Sequence, residues 1–218
     1  MKIGIIGTGH MGRTLGLRWA GAGHDVLFGS RDPDKARAVA ARGTSTTRAG
    51  DFDDAAGFGD VVLYTVRAVF PSQLLRRPQA LAGKVIVDCN NRDLGNDGDP
   101  ATFRFEPPPR HSLSQALQAD VPQARVVKAF NTLPHAVIER PREALAPHRV
   151  SVFLCADDAA AKATVKGLAE DLGFVGVDCG DLDRSHLVDG AADFARFQIG
   201  AMGLGLSSTL SIHVLPKP

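Results

Sequence analysis

Apolar positions along this chain fall in short unbroken runs separated by longer stretches of mixed polarity. KIGII (2–6), DVLFG (25–29), DVVLYTV (60–66), KVIVDC (84–89), RVVKAF (125–130), RVSVFLCA (149–156) and FVGVDC (174–179) read as strands. The runs are continuous rather than alternating, which is how strands buried on both faces read, so a parallel sheet covered by helices is expected. Helical spacing links them. From Met11 to Ala22, Leu15, Trp19 and Ala22 share a face, and Gly23 is a plausible stop. Asp32 can cap a helix that takes Pro33 in its first turn and runs to about Arg42. Ser112 and Gln115 have capping-box spacing before SLSQALQA, and Asp157 or Asp158 opens a helix ending near Gly173. The fold class predicted is α/β: a Rossmann-type, doubly wound, mainly parallel sheet with a short helical C-terminal segment.

Two stretches depart from this alternation. NNRDLGNDGDPATFRFEPPPR, residues 90–110, has no periodicity and is rich in Gly, Pro and Asp. It leaves the KVIVDC strand at the sheet edge where open α/β folds bind ligands. It reads either as a solvated surface loop or as a lid over a substrate site. From about Leu182 the chain looks helical but small-residue rich, and Gly200, Gly203 and Gly205 weaken a solitary helix while permitting close packing. The expected organisation is a dinucleotide-binding domain over 1–180 and a small helical segment over 181–218. That segment would complete the substrate site or a homodimer interface.

Composition narrows the function without naming it. The 218 residues carry a net charge of +1, which gives no electrostatic footprint for nucleic acid or an anionic membrane. No apolar run reaches bilayer length, and Met1 and Lys2 run directly into a strand, so a cytoplasmic protein without a leader is expected. Cys89, Cys155 and Cys179 show no C-x-x-C spacing and read as buried, reduced thiols. No metal-ligand cluster is visible, and no metal is expected.

The chemistry-bearing pattern is Gly7-Thr8-Gly9-His10-Met11-Gly12. Its placement between the first strand and the first helix gives the G-x-G-x-x-G match its weight. Gly7 permits the tight turn, Gly9 lets backbone approach a pyrophosphate, and Gly12 lets helix and strand pack closely. The helix N-terminus presents unpaired N–H groups to the phosphates. At the end of the second strand a carboxylate normally grips a ribose 2′-hydroxyl, but this chain has Ser30 and Arg31 there. A 2′-phosphate would be repelled by a carboxylate and favours a hydroxyl donor and a guanidinium fork. Lys35 can add a point charge and Thr8 a hydroxyl, so the cofactor indicated is NADP.

GTGHMG, GSRDPDKA and ARVVKAFNTLPHAV together resemble the F420-dependent NADP oxidoreductase family, from Met1 to about Asp183. The resemblance implies hydride transfer between NADP and the deazaflavin coenzyme F420 or a flavin-like acceptor. It places 2′-phosphate contacts on Thr8, Ser30, Arg31 and Lys35. It places the ring neighbourhood on Thr65, Val66 and Arg67, on Asn90 and Asn91, and on Ala129, Phe130 and Asn131. The chain departs from the family at Val66-Arg67-Ala68-Val69 and at Cys89-Asn90-Asn91-Arg92, both where the second substrate should bind.

Hydride transfer between ring systems needs alignment and exclusion of water more than acid–base help. No residue is therefore assigned as certainly catalytic. Asn131 and His135 are the polar candidates, with backbone N–H groups near Ala129 and Asn131 as partners for ring carbonyls. His10 falls in the glycine loop, near phosphate, and His24 is expected to be exposed. Two other readings stay open: an NADPH-dependent reductase of a small imine or carbonyl compound, and a non-catalytic NADP-binding protein.

Overall fold

The computed structural model describes residues 1–67, 69–94 and 112–215, so most of the 90–110 loop lies outside the described residues. The strands are β1 (Lys2–Ile6), β2 (Asp25–Gly29), β3 (Thr47–Gly50), β4 (Val61–Tyr64), β5 (Val85–Asp88), β6 (Arg125–Lys128), β7 (Ser151–Leu154) and β8 (Val175–Asp178). The first three helices are α1 (His10–Gly21), α2 (Pro33–Ala40) and α3 (Phe52–Phe58). The one-turn helix α4 (Pro71–Leu74) precedes α5 (Leu113–Asp120), and two further single turns follow, α6 (His135–Ile138) and α7 (Arg142–Leu145). Helices α8 (Ala159–Asp171) and α9 (Ser185–Ile199) complete the described chain.

Six strands form one sheet in the order β3-β2-β1-β4-β5-β6, and every neighbouring pair is parallel. Strand order reverses between β1 and β4, which leaves a crevice beyond their carboxyl ends at the ligand-binding switch point of such folds. Strands β7 and β8 pair in parallel with each other. An antiparallel bridge between Lys128 and Cys155 joins them to the β6 edge. The assembly is the expected mainly parallel Rossmann-type sheet.

Both faces of the sheet are covered. On one, α1 and α8 pack through Trp19, whose Nε1–H donates to the Leu168 carbonyl at 3.0 Å and whose ring meets Phe130 edge-on at 5.8 Å. On the other, Ile6, Tyr64, Leu81, Ile86 and Leu117 are buried together. β3 and α3, like the single turns α4, α6 and α7, were not expected. β3 is TRAG at the sheet edge, with Arg48 and Ala49 exposed, so it lacks the apolar run that marks the inner strands. α3 follows at once, opened by a capping box in which Asp51 accepts from the Asp54 N–H and Asp54 accepts from the Asp51 N–H. The helical character of the tail ends at Ile199, where Gly200 caps α9, and no regular element follows among the described residues. His24, expected to be exposed, is 8% exposed and pairs with Asp171 of α8 at 3.0 Å. No helix among the described residues is long and apolar enough to cross a membrane.

Candidate active site

The glycine loop spans the gap between β1 and α1. Gly7 holds φ 107°, a region that side chains disfavour, and its N–H donates to the Gly29 carbonyl at 3.1 Å, stitching the turn to β2. A Cβ on Gly12 would lie 1.9 Å from the Gly7 carbonyl oxygen. A Cβ on Gly9 would meet nothing within 4 Å. The chain's own packing therefore requires glycine at 7 and 12 but not at 9. The space over Gly9 is the cradle a pyrophosphate needs. α1 begins with Gly9 as its N-cap, without a capping side chain and without an acid in its first turn. Its first N–H groups and the positive end of its dipole are left for an anion.

At the end of β2 the Ser30 Oγ accepts from the Asp32 N–H at 3.1 Å, which leaves the hydroxyl proton to donate elsewhere. The Asp32 carboxylate accepts from the Asp34 and Lys35 N–H groups at 3.0 and 3.3 Å and so caps α2, the role expected of it. Arg31 is exposed, and Lys35 Nζ is 3.8 Å from Asp32, a loose surface pair that a phosphate could displace. Thr8, Gly9, Ser30, Arg31 and Lys35 line one cavity of about 460 Å³. The donor set and the glycine cradle fit an NADP 2′-phosphate and pyrophosphate.

A second cavity of about 450 Å³ shares Gly9 and Thr65 with the first, so the two lie side by side at the switch point. Thr65 Oγ1 donates to the Ile6 carbonyl at 2.9 Å, tying the β4 end to the glycine loop. Val66 lines the first cavity. His10, Met11, Arg67, Cys89, Asn90 and Arg196 line the second. Asn90 is held by its Nδ2 on the Tyr64 carbonyl at 3.0 Å and on Asp88 Oδ1 at 2.9 Å. Burial in an apolar wall and the neighbouring Asp88 push the Cys89 thiol up to about 12, so it lines the pocket as a neutral group.

The structure does not bring every expected residue to this cleft. Asn131 is 6% exposed and sits behind Asn91: Asn91 Nδ2 donates to the Asn131 carbonyl at 2.7 Å, and Asn131 Nδ2 donates back to Asn91 Oδ1 at 3.1 Å. The Ala129 N–H donates to the Asp88 carbonyl at 3.0 Å, so the sheet ladder uses that amide. Phe130, at φ 62°, is fully buried against Trp19. The His135 ring lies 4.9 Å from that of His10, beside the glycine loop.

Two charged clusters behind the cleft were not foreseen. Lys128 is fully buried and its Nζ donates to the Asn90 carbonyl at 2.6 Å and to Asp189 at 2.8 Å, with Asp88 at 3.6 Å. Ser114 donates to Asp88 at 2.5 Å. Burial alone would push the Lys128 ammonium down, but two carboxylates around it hold it above the ordinary lysine value. Those carboxylates share one cation, and desolvation pushes Asp189 up. In the other cluster Arg92 and Arg196 both donate to Asp193, at 2.6 and 2.7 Å, and Arg196 also donates to the Arg92 carbonyl at 3.0 Å. A lysine and an aspartate ending otherwise apolar strands were the available signal for the first cluster. The second joins residues about a hundred positions apart and left no local signal.

Residues 2–92 match a protein family described as NADP oxidoreductase, coenzyme F420-dependent. Over 87% of its length the chain is 29% identical to the F420-dependent NADP reductase of Methanocaldococcus jannaschii, of which it covers 88%. It is 30% identical to the metalloreductase STEAP3 of Rattus norvegicus over 86% of this chain, spanning 36% of that protein's length. A crystal structure from Arthrobacter sp. FB24, assigned as an F420-dependent NADP reductase, superposes with a TM-score of 0.72 at 27% identity, covering 93% of this chain and 95% of that one. The imine reductase of Streptomyces aurantiacus, at 15% identity and a TM-score of 0.63, shares the fold; the alignment covers 93% of this chain and 64% of that one.

Proposed function

We propose that this chain, a member of the F420-dependent NADP oxidoreductase family, moves hydride between NADP(H) and a deazaflavin or flavin-like acceptor. The observation that carries this reading is that the two cavities are neighbours, with Gly9 and Thr65 in the lining of both. One end offers a phosphate-reading set and the other offers room beside it for a second ring.

Bound NADPH supplies the hydride. The chain's own residues position and shield the reacting rings. Thr8, Ser30, Arg31 and Lys35 would hold the 2′-phosphate, and Gly9 with the α1 N-terminus would hold the pyrophosphate. Thr65 and Asn90, each fixed by its bonds to backbone, would wall the nicotinamide side. Preorganised walls of this kind lower the barrier by holding donor and acceptor carbons at reacting distance. Val66 would line the NADP side, and Arg67 and Asn91 would face the acceptor. Asn131 would act through Asn91, and His135 through His10.

In this reading residues 181–218 complete the acceptor side, because Arg196 of α9 lines the second cavity. Leu187, Phe194 and Phe197 are exposed on α9 and support pairing with a second copy of the chain. A cytoplasmic setting is part of the same proposal.

The test is a set of spectrophotometric assays with NADPH and oxidised F420, FMN or FAD, beside NADPH binding by calorimetry. NADPH oxidation with one of these acceptors is the expected result. Tight NADPH binding with no oxidation by any of them would remove the acceptor assignment and favour a non-catalytic role or a different small substrate.

A further inference from the structure

Strands β7 and β8 run in parallel, and their register ends with Leu154 opposite Asp178. The Cys179 N–H donates to the Leu154 carbonyl at 2.8 Å, and the Ala156 N–H reaches past Cys179 to the Gly180 carbonyl at 3.2 Å. Cys155 and Cys179 thus follow the last paired residues directly. Both cysteines pack in one small apolar cluster with Phe153, Val177 and Val188. The Cys155 sulfur lies 3.8 Å from the Cys179 carbonyl oxygen. Neighbouring strands are about 4.8 Å apart, within the roughly 4.4–6.8 Å that a disulfide spans between Cα atoms.

We infer that Cys155 and Cys179 form a reversible intramolecular disulfide, with Cys179 reacting first with a peroxide and Cys155 resolving it. Cys155 is fully buried, whereas Cys179 is partly exposed. Cys179 is therefore the sulfur that a small oxidant reaches first. The Cys155 thiol points at the Cys179 carbonyl, and the Cys179 thiol donates to the Val177 carbonyl at 3.6 Å. In the first step the Cys179 thiolate attacks a peroxide oxygen. The O–O bond breaks, hydroxide leaves and takes a proton, and Cys179 becomes a sulfenic acid. In the second step the Cys155 sulfur loses its proton and attacks the Cys179 sulfur, and the S–O bond breaks with loss of water. Two thiols are oxidised and one hydrogen peroxide is reduced to two waters. Cys89 ends β5, with β6 between it and β7, and its thiol is neutral and buried, so it takes no part.

The full-length protein is treated with a small excess of hydrogen peroxide, denatured, and its remaining thiols counted, with non-reducing peptide mapping by mass spectrometry. The expected result is one titratable thiol of the three, a Cys155–Cys179 linked peptide lighter by two hydrogens, and return of all three with dithiothreitol. In Cys155→Ser the sulfenic acid on Cys179 has no resolving partner, so a dimedone adduct accumulates there. Three intact thiols in the wild type, a linkage through Cys89 or between chains, or a dimedone adduct on wild-type Cys179 without a linked peptide would each overturn the inference. The wild-type measurement stands even if a variant fails to fold, and it does not depend on the acceptor.

Discussion

Lys128 Nζ on β6 lies 2.8 Å from Asp189 Oδ1 on α9, and the lysine side chain has no exposed surface. This pair fastens the C-terminal helix to the sheet directly behind the cleft, because the same ammonium holds the Asn90 carbonyl. Removing one partner of a buried pair leaves the other charge uncompensated, which costs about 3–5 kcal/mol. Lys128→Met is expected to lower stability by that order, measured by urea unfolding. Asp189→Asn, which keeps a polar partner for the ammonium and leaves Asp88 in place, is expected to cost less. Equal losses would show that Asp189 alone compensates the lysine and that Asp88 cannot replace it.

The same pair sets an alkaline limit. The folded protein holds the Lys128 pKa above its unfolded value. A raised folded value means the contribution is fully present below the unfolded pKa, about 10.4 for lysine. It is lost as pH rises through the higher folded value. Thermal unfolding from pH 9 to 12 should show a fall in Tm above about 10.5 that Lys128→Met lacks. A parallel decline in both proteins would place the alkaline transition elsewhere.

Glycines 9 and 12 separate ligand binding from folding. A Cβ at position 12 would collide with the Gly7 carbonyl at 1.9 Å, so Gly12→Ala must displace α1 and is expected to cost about 2 kcal/mol or more. A Cβ at position 9 meets nothing in the chain. Gly9→Ala should therefore keep the wild-type Tm to within a few degrees yet weaken NADPH binding at least tenfold. Calorimetric titration beside thermal unfolding checks both. Unchanged affinity in Gly9→Ala would remove the pyrophosphate from this loop, and a large loss of Tm would show that folding needs Gly9 as well.

Much of this architecture was legible because the strands carrying the cleft are the innermost ones. β1, β4 and β5 are buried on both faces, and burial writes itself as an apolar run. β3 escaped because an edge strand needs no such run, and TRAG has none. α3 escaped although Asp51 and Asp54 had capping spacing, because its seven residues are too few for periodicity to show. Within the cleft, the positions of the glycine loop and the Ser30-Arg31 pair were readable since each is set by one turn of local chain. The residues that α9 contributes were not, because Arg196 and Asp189 reach the cleft and its floor through pairings that only the fold creates.

Ser30, Arg31 and Lys35 are expected to discriminate NADPH from NADH. A charge-assisted hydrogen bond contributes about 1.5–3 kcal/mol, or roughly ten- to a hundredfold in affinity. Arg31→Ala should raise the Kd for NADPH by that factor and change NADH binding less than about threefold. Arg31 is exposed, so stability should hold. Equal losses for both cofactors would show that Arg31 does not read the 2′-phosphate.

Arg67 and Arg196 line the same cavity as Cys89 and Asn90, and the charge of Arg196 is already engaged by Asp193. Burial and the nearby Arg67 and Arg92 push the Arg196 guanidinium down, and Asp193 opposes them. Arg67 adds a positive charge to this wall, beside Asp93 and the Arg196–Asp193 pair, and favours an anionic group on the part of the occupant nearest it. FMN and riboflavin share a ring and differ in a phosphate, so they isolate this effect. If the protein reduces flavins, the wild type should show a lower KM for FMN than for riboflavin at 50 mM salt. Arg67→Gln should raise the FMN KM about tenfold, leave riboflavin within about twofold and keep kcat, because the lost interaction binds a remote part of the acceptor equally in ground and transition states. Raising salt should weaken FMN in the wild type and have little effect in the variant. A variant that loses kcat on both flavins would instead place Arg67 against the reacting ring.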